Sequence, residues 1–437
     1  MRSATFSALI FLLLPLALVR PYFGALLYFW FSLMNPHRLM YAVSLPYAEI
    51  IAITTFIGWL SPSVAKKVVP DRTSALLIIW LVWTAVTTCF ALNPSDATAK
   101  LIIFAKTIGF SLIAYSMMTT RKRIDALITV LVLSVGFFGM KGGAWALLTG
   151  GHNRVYGPAE SMIGDNNDLG AALLLILPLV LYLRDIYVNR WTKSALLFMT
   201  CLTAIAVLCT YSRAAFLGIA AVALFLILKS RRKLLFFVIA LASVVLVINF
   251  APRGWLARMD TIETYKKDQS AESRLYMWKL SLAVVEARPI VGGGFKDAFD
   301  PAAVNGYARD AGLPDLTRKR APHSIFFEAL GEHGVPGLII FLMILGSTWL
   351  NGRYLVRRGK DAPQFAWAGQ LGRMVQVSLI GFCIAGAFGT LATYDGLYVV
   401  VIACAAARRV IEAEAKALHP QNSVIELVPV SNTSYSV

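Results

Sequence analysis

Three side chains in this sequence have types and surroundings that could do chemistry. They are Arg213 in Tyr211-Ser212-Arg213-Ala214, Arg274 in Ser273-Arg274-Leu275-Tyr276, and His323 in Ala321-Pro322-His323-Ser324. An arginine fork matches two phosphate oxygens at once, so convergent arginines make a clamp for a diphosphate. A histidine that stays neutral can take a proton from an attacking hydroxyl. Pro322 is a good first-turn residue and an apolar run follows it, so His323 is predicted in the first turn of a membrane helix. The positive end of such a helix would disfavour imidazolium, and its free N–H groups would suit a phosphate. The competing readings are a cap or surface residue for His323, an interfacial anchor for Arg213, and a solvated loop arginine for Arg274.

Other polar segments are candidates for support. Arg154 lies in Gly151-His152-Asn153-Arg154-Val155-Tyr156, and could assist a phosphate clamp. Asp165-Asn166-Asn167-Asp168 precedes an apolar run; Asn166 or Asn167 is expected to cap that helix, with a supporting role at a site as the alternative. Asn35-Pro36-His37-Arg38 is a second polar turn, either site or turn. Glu328 follows His323 by five residues and could orient the imidazole or pair with a neighbouring arginine, with Glu332 and His333 further along. The sequence has no Asp-x-Asp pair, no His-Glu-x-x-His helix and no phosphate-loop glycine motif before Lys-Ser/Thr. The expected chemistry is therefore free of metals and cofactors and built on arginine and histidine. Gly292-Gly293-Gly294 reads as a turn.

The elements that must position these residues are membrane helices. The 437 residues are 58% hydrophobic with a mean hydropathy of +0.66, which identifies an all-α, polytopic transmembrane bundle. Apolar runs near 6–34, 45–61, 73–91, 100–118, 125–147, 168–184, 195–211, 214–228, 234–250, 324–350, 374–391 and 394–408 each suit one crossing. Reading the first run as one helix broken at Arg20-Pro21 gives about 12 spans with both termini cytoplasmic. If that run crosses twice, only the N-terminus changes sides. Much of the net charge of +17 lies in short loops such as Lys66-Lys67, Arg121-Lys122-Arg123, Arg231-Arg232-Lys233 and Arg357-Arg358. That is the positive-inside signature of topology, and a charge of this origin does not argue for a nucleic-acid partner.

The chain divides into nine spans over 1–250, an outer loop over 251–322, three spans over 323–410 and a polar cytoplasmic tail over 411–437. The tail, rich in Ser and Asn from His419 onward, is expected to be disordered. The outer loop carries an apolar periodicity at Leu275, Trp278, Leu282 and Val285 and should fold as short amphipathic helices over the mouth of the bundle. The five cysteines all fall inside apolar runs and read as packing residues.

Taken together, these features resemble the O-antigen ligase and polymerase superfamily of bacterial envelope glycosyltransferases. The resemblance rests on the span count, the outer loop between the ninth and tenth spans and Tyr-Ser-Arg-Ala at 211–214. Pro-His-Ser at 322–324, followed by Glu328 and by Gly331-Glu332-His333-Gly334-Val335-Pro336-Gly337, and Asp165-Asn166-Asn167 also fit. The stretch from Arg20-Pro21-Tyr22 to Asn35-Pro36-His37-Arg38 resembles the O-glycosylation-ligase-like branch. The resemblance implies a metal-independent, inverting glycosyltransferase of lipopolysaccharide biosynthesis in the inner membrane, with its site facing the periplasm. Its donor would be an undecaprenyl-diphosphate-linked glycan and its acceptor a hydroxyl, foremost on a lipid A-core sugar. By motif, Arg213, Arg274 and His323 correspond to the family's functional positions. A polymerase or a protein O-oligosaccharyltransferase is the alternative within enzymes. A lipid-linked-glycan transporter would need charged mid-span residues and a repeat in two halves, and neither is apparent.

Overall fold

A computed structural model describes residues 2–36, 45–68, 70–229, 269–295 and 299–418. Fourteen α-helices lie in this part of the chain: α1 Arg2–Val19, α2 Pro21–Met34, α3 Tyr47–Leu60, α4 Arg72–Cys89, α5 Pro94–Met117, α6 Arg121–Leu148, α7 Asn166–Ile186, α8 Arg190–Cys209, α9 Arg213–Lys229, α10 Gln269–Ala287, α11 Pro301–Asp310, α12 Ile325–Asp361, α13 Ala366–Gly386 and α14 Asp395–Leu418. Among the described residues there is no named strand, only an isolated antiparallel bridge between Phe299 and Arg320. Seven of the helices are long and apolar enough to cross a membrane, and four shorter ones are apolar over 10–17 residues. The run 234–250 and the first part of the outer loop lie outside the described residues.

Residues 6–34 do not form one broken crossing. Phe6 in α1 and Phe31 in α2 have ring centroids 6.4 Å apart, although 25 residues of helix laid end to end would separate them by roughly 37 Å. The chain therefore folds back at Arg20. Pro21 opens α2, where its missing N–H costs nothing. The hairpin packs on α3 through Tyr47, whose ring meets Phe6 edge-on at 5.7 Å and lies 5.9 Å from Phe31.

The helix ends segregate as alternating crossings require. Leu92, Asp96, Arg288, Gly293, Asp300 and Lys319 meet at one end: Leu92 N–H donates to Gly293 O at 2.9 Å, and the Lys319 ammonium lies 3.2 Å from Asp96 and 3.1 Å from Asp300. Lys67, Arg72, Tyr115, Arg408 and Arg409 meet at the other. At its centre α7 is buried on all sides, packed against α13, α8, α6 and α9.

At the first of these ends α10 and α11 make a small core of their own, from Met277, Leu280, Val284, Phe299, Val304, Ala308 and Leu316. Short amphipathic helices are expected here, and α10 is one, but its apolar face is only partly the predicted one: Val285 is buried, whereas Leu275 and Leu282 are exposed. The reason is that α11 supplies the buried partner, so packing and not periodicity selects the face. The last helix also runs on to Leu418, so residues 411–418 are helical and not tail, while His419 onward lies outside the described residues. Arg408 and Glu412, four apart and 2.7 Å from each other, support that extension.

One break decides the geometry near the candidate site. Gly334 in α12 has φ 69 and ψ −171, which interrupts the helix two residues before Pro336. A break orphans backbone groups, and the 289–294 turn satisfies them. Gly293 N–H donates to Gly331 O and Gly294 N–H to Glu332 O, both at 2.8 Å, and Val335 N–H donates to Pro289 O at 2.8 Å. A methyl group on Gly334 would lie 2.2 Å from Ile290 O and 2.6 Å from Pro289 O. Gly334→Ala is therefore expected to destabilise the protein by about 2 kcal/mol or more. Thermal unfolding of the detergent-solubilised chain checks this, and an unchanged midpoint would contradict the role given to the turn.

Candidate active site

The site begins with a backbone strain. His323 has φ 48, in the left-handed region that costs a non-glycine residue ~1–2 kcal/mol. It lies two residues before α12, whose N-cap residue is Ser324, and so is not in the first helical turn as expected. Pro322 is held back from the helix because its carbonyl accepts from Trp278 Nε1 at 2.9 Å. The half-buried imidazole meets the α13–α14 turn instead, with Nδ1 3.3 Å from Thr390 Oγ1.

The electrostatics of His323 follow from this placement. Burial is the largest influence and lowers its pKa below the ordinary 6.5. The positive charge of Arg274 lowers it further, and the negative charge of Asp165 opposes. The imidazole is thus biased toward the neutral form, but by desolvation and a neighbouring guanidinium, not by the helix end that the sequence suggested.

Arg274 and Trp278 stand one turn apart on α10 and share the ring of Phe388. The guanidinium lies 5.8 Å from that ring centroid, the indole 5.8 Å from it, and the indole also stacks on Phe327 at 5.0 Å with planes 6° apart. These contacts fix a long, flexible side chain beside the histidine.

Two buried carboxylates hold the α13–α14 turn from below. Asp168 Oδ1 accepts from Thr390 N–H at 2.8 Å, and Glu328 Oε2 accepts from Ala392 N–H at 3.1 Å. Gly389 leaves the room this needs, since a methyl group there would sit 2.5 Å from Asp168 Oδ1. The other oxygen of Glu328 faces the Lys100 ammonium at 3.5 Å, which also lies 3.4 Å from Glu332. Glu332 is 3.7 Å from His333 Nε2, and His333 Nδ1 is 2.7 Å from Thr87 Oγ1.

Arg213 opens α9 at the neighbouring turn. Tyr211, two residues earlier, also has a positive φ of 57. Asn166 Nδ2 donates to Thr210 O at 2.7 Å and Ser212 Oγ donates to Asn167 Oδ1 at 2.8 Å, which fastens this turn to the start of α7. The cap of α7 is Asp165, accepting from Asn167 N–H at 2.8 Å, so neither asparagine caps. The Asp165 carboxylate, one residue earlier, takes the free N–H group, which leaves the amides to make tertiary bonds. Arg154 is exposed and lies 5.8 Å over the Tyr211 ring, whose hydroxyl donates to Gly151 O at 2.8 Å. Arg213 and Arg154 therefore belong to one turn and Arg274 and His323 to another. The start of α7 joins the two, through Asn166 and Asn167 on one side and Asp168 on the other. Arg38 lies outside the described residues. Among those residues no three His, Cys, Asp or Glu side chains are grouped to hold a metal.

Lys100, Asp168 and Thr390 were not singled out from sequence. A lysine and an aspartate at the starts of apolar runs were a readable signal for the first two. Thr390 carries none, because its importance comes from the fold of the turn.

Residues 195–342 match the family described as O-Antigen ligase, and residues 1–188 match a family of unknown function. The first match contains Arg213, Arg274, His323 and Glu328; the second contains Lys100, Arg154, Asn166 and Asp168. A search of curated proteins finds no match.

The His323 imidazole should titrate below pH 6.5, and Arg274→Gln should move its midpoint upward, because a positive charge opposing protonation is removed. Histidine-selective NMR with His323→Asn as the assignment control measures both; a midpoint at or above 6.5 in the parent protein would contradict the geometry.

Proposed function

We propose that this chain, which belongs to the O-antigen ligase and polymerase superfamily, transfers a glycan from undecaprenyl diphosphate to an acceptor hydroxyl. The reaction takes place at the periplasmic face of the bacterial inner membrane, and the acceptor is a sugar of lipid A-core. The observation that carries this reading is a desolvated, neutral-biased histidine beside a fixed guanidinium, with two further arginines at the adjoining turn. That is a set of groups suited to moving one proton and stabilising one departing diphosphate.

In the step, the acceptor oxygen bonds to the anomeric carbon as the bond from that carbon to the diphosphate oxygen breaks, and the configuration inverts. The electron pair of the broken bond leaves on the diphosphate, and the hydroxyl proton passes to His323. In the tautomer the step requires, Nδ1–H faces Thr390 Oγ1, 3.3 Å away, and the Nε2 lone pair takes the proton. Arg213 and Arg274, with Arg154 assisting, hold the diphosphate oxygens. Because charge grows there as the bond breaks, the arginines stabilise the transition state more than the bound donor. The guanidiniums supply the positive charge that a metal ion would otherwise bring, so the reaction is read as metal-independent. Asp168 and Glu328 act as positioning residues through the Thr390 turn.

Purified protein, an undecaprenyl-diphosphate glycan and lipid A-core acceptor in EDTA test the reading. Wild-type transfer should persist, and His323→Ala should lower the rate by at least about 100-fold while donor binding is retained. Transfer that survives the substitution would overturn the role of His323. Donor consumed only when a second glycan or a protein is offered would assign the chain to the polymerase or protein-modifying branch instead.

A further inference from the structure

The opposite ends of the same helices enclose a second polar site, to which the reading above gives no role. A cavity of about 430 Å³ lies between the start of α4, the end of α5, the middle of α12 and the second half of α14. The 18 residues of α4 separate it from the candidate active site, roughly 27 Å at the helical rise, so the two face opposite sides of a bilayer. Five cations line the cavity (Lys67, Arg72, Arg408, Arg409 and Lys416) against two carboxylates (Asp71 and Glu412), an excess of 5 − 2 = 3 positive charges.

Basic residues at this face are expected from topology alone, but topology does not fix where their side chains point. Here three guanidiniums are held in place, and mostly by neutral acceptors. Arg409 donates to the carbonyls of Lys67 at 3.2 Å, Tyr115 at 2.6 Å and Met118 at 3.3 Å, and lies 4.2 Å over the Tyr115 ring. Arg72 donates to Ser347 Oγ at 3.0 Å and to Asn351 Oδ1 at 3.4 Å. Arg408 alone has a carboxylate, Glu412 at 2.7 Å, and also donates to Asn351 Oδ1 at 3.1 Å. The Asp71 carboxylate is occupied in capping α4, accepting from Ser74 N–H at 2.8 Å, and in accepting from the Tyr115 hydroxyl. Neutral acceptors orient a cation without cancelling its charge. What remains is a preorganised, electropositive recess of the size that binds a small ligand, at the level of the lipid headgroups.

We propose that this cavity binds a phosphate group on the membrane face opposite the candidate active site, as a phosphodiester of an anionic lipid headgroup or as a soluble phosphate. Arg72 and Lys67 approach its oxygens from one side and Lys416 from the other. The site does not depend on the glycan-transfer reading, and its test reads binding alone.

Full-length protein purified without anionic lipid is offered phosphatidylglycerol or phosphatidylcholine under native mass spectrometry, and inorganic phosphate in a thermal-shift titration. One retained phosphatidylglycerol in preference to phosphatidylcholine identifies a headgroup as the source; stabilisation by inorganic phosphate alone identifies a soluble anion. In either case the Lys67→Gln/Arg72→Gln variant should bind at least about tenfold more weakly, by loss of two charge-assisted contacts. Lys67→Gln/Lys416→Gln, which alters only exposed side chains, serves if the first variant does not fold. No preference for phosphatidylglycerol together with no phosphate response, or equal binding by folded variants, would overturn the proposal.

Discussion

A lysine ammonium held between two buried glutamates organises this protein's candidate site. The side chains of Glu328 and Glu332 are 2% and 3% exposed and that of Lys100 11%, so none of the three could keep its charge alone in this surrounding. Removing one member of such a set costs about 3–5 kcal/mol, because the charge left behind has no compensation. The pairing ties the Lys100 side chain of α5 to the first half of α12. It also leaves one oxygen of Glu328 to grip the α13–α14 turn at Ala392. That turn carries Thr390, and Thr390 meets His323. The position of the imidazole thus rests on a chain of contacts rooted in a buried ion pair.

Left-handed backbone recurs around the candidate site. His323, Tyr211 and Gly334 all adopt positive φ, and each is bracketed by hydrogen bonds that hold it there. At Gly334 the missing side chain makes the conformation inexpensive and lets the 289–294 turn approach within bonding distance. At His323 and Tyr211 the side chains remain, and the surrounding structure must supply the difference. In Tyr211-Ser212-Arg213 the turn is fixed before α9 begins, by bonds at Thr210, Tyr211 and Ser212.

Much of this architecture was legible in the sequence because a bilayer leaves few options. Apolar runs must be helices there, and basic loops must alternate with the others. The gathering of Leu92, Gly293 and Lys319 at one end and of Lys67, Arg72 and Arg409 at the other agrees with that alternation. What the sequence did not disclose is tertiary. Arg20-Pro21 permits a kink or a hairpin, and only the Phe6–Phe31 contact decides. The apolar residues of α10 fit more than one buried face until α11 is in place. His323 follows a proline and precedes an apolar run, the pattern of a first-turn residue. The bond from Trp278 to Pro322 O, formed across 44 residues, overrides that pattern. Asp165 displaces the expected asparagine caps for a similar reason, since Asn166 and Asn167 find partners in another helix pair.

In the proposed reaction a neutral-biased His323 and the arginines at 213 and 274 meet the same diphosphate-linked donor. The most direct test is a cryo-EM structure of the full chain with a non-transferable undecaprenyl-diphosphate glycan bound. Diphosphate oxygens are expected within hydrogen-bond distance of Arg213 and Arg274, with His323 Nε2 facing the side of the anomeric carbon opposite the diphosphate. A diphosphate seated away from both arginines, or His323 on the leaving-group side, would contradict it.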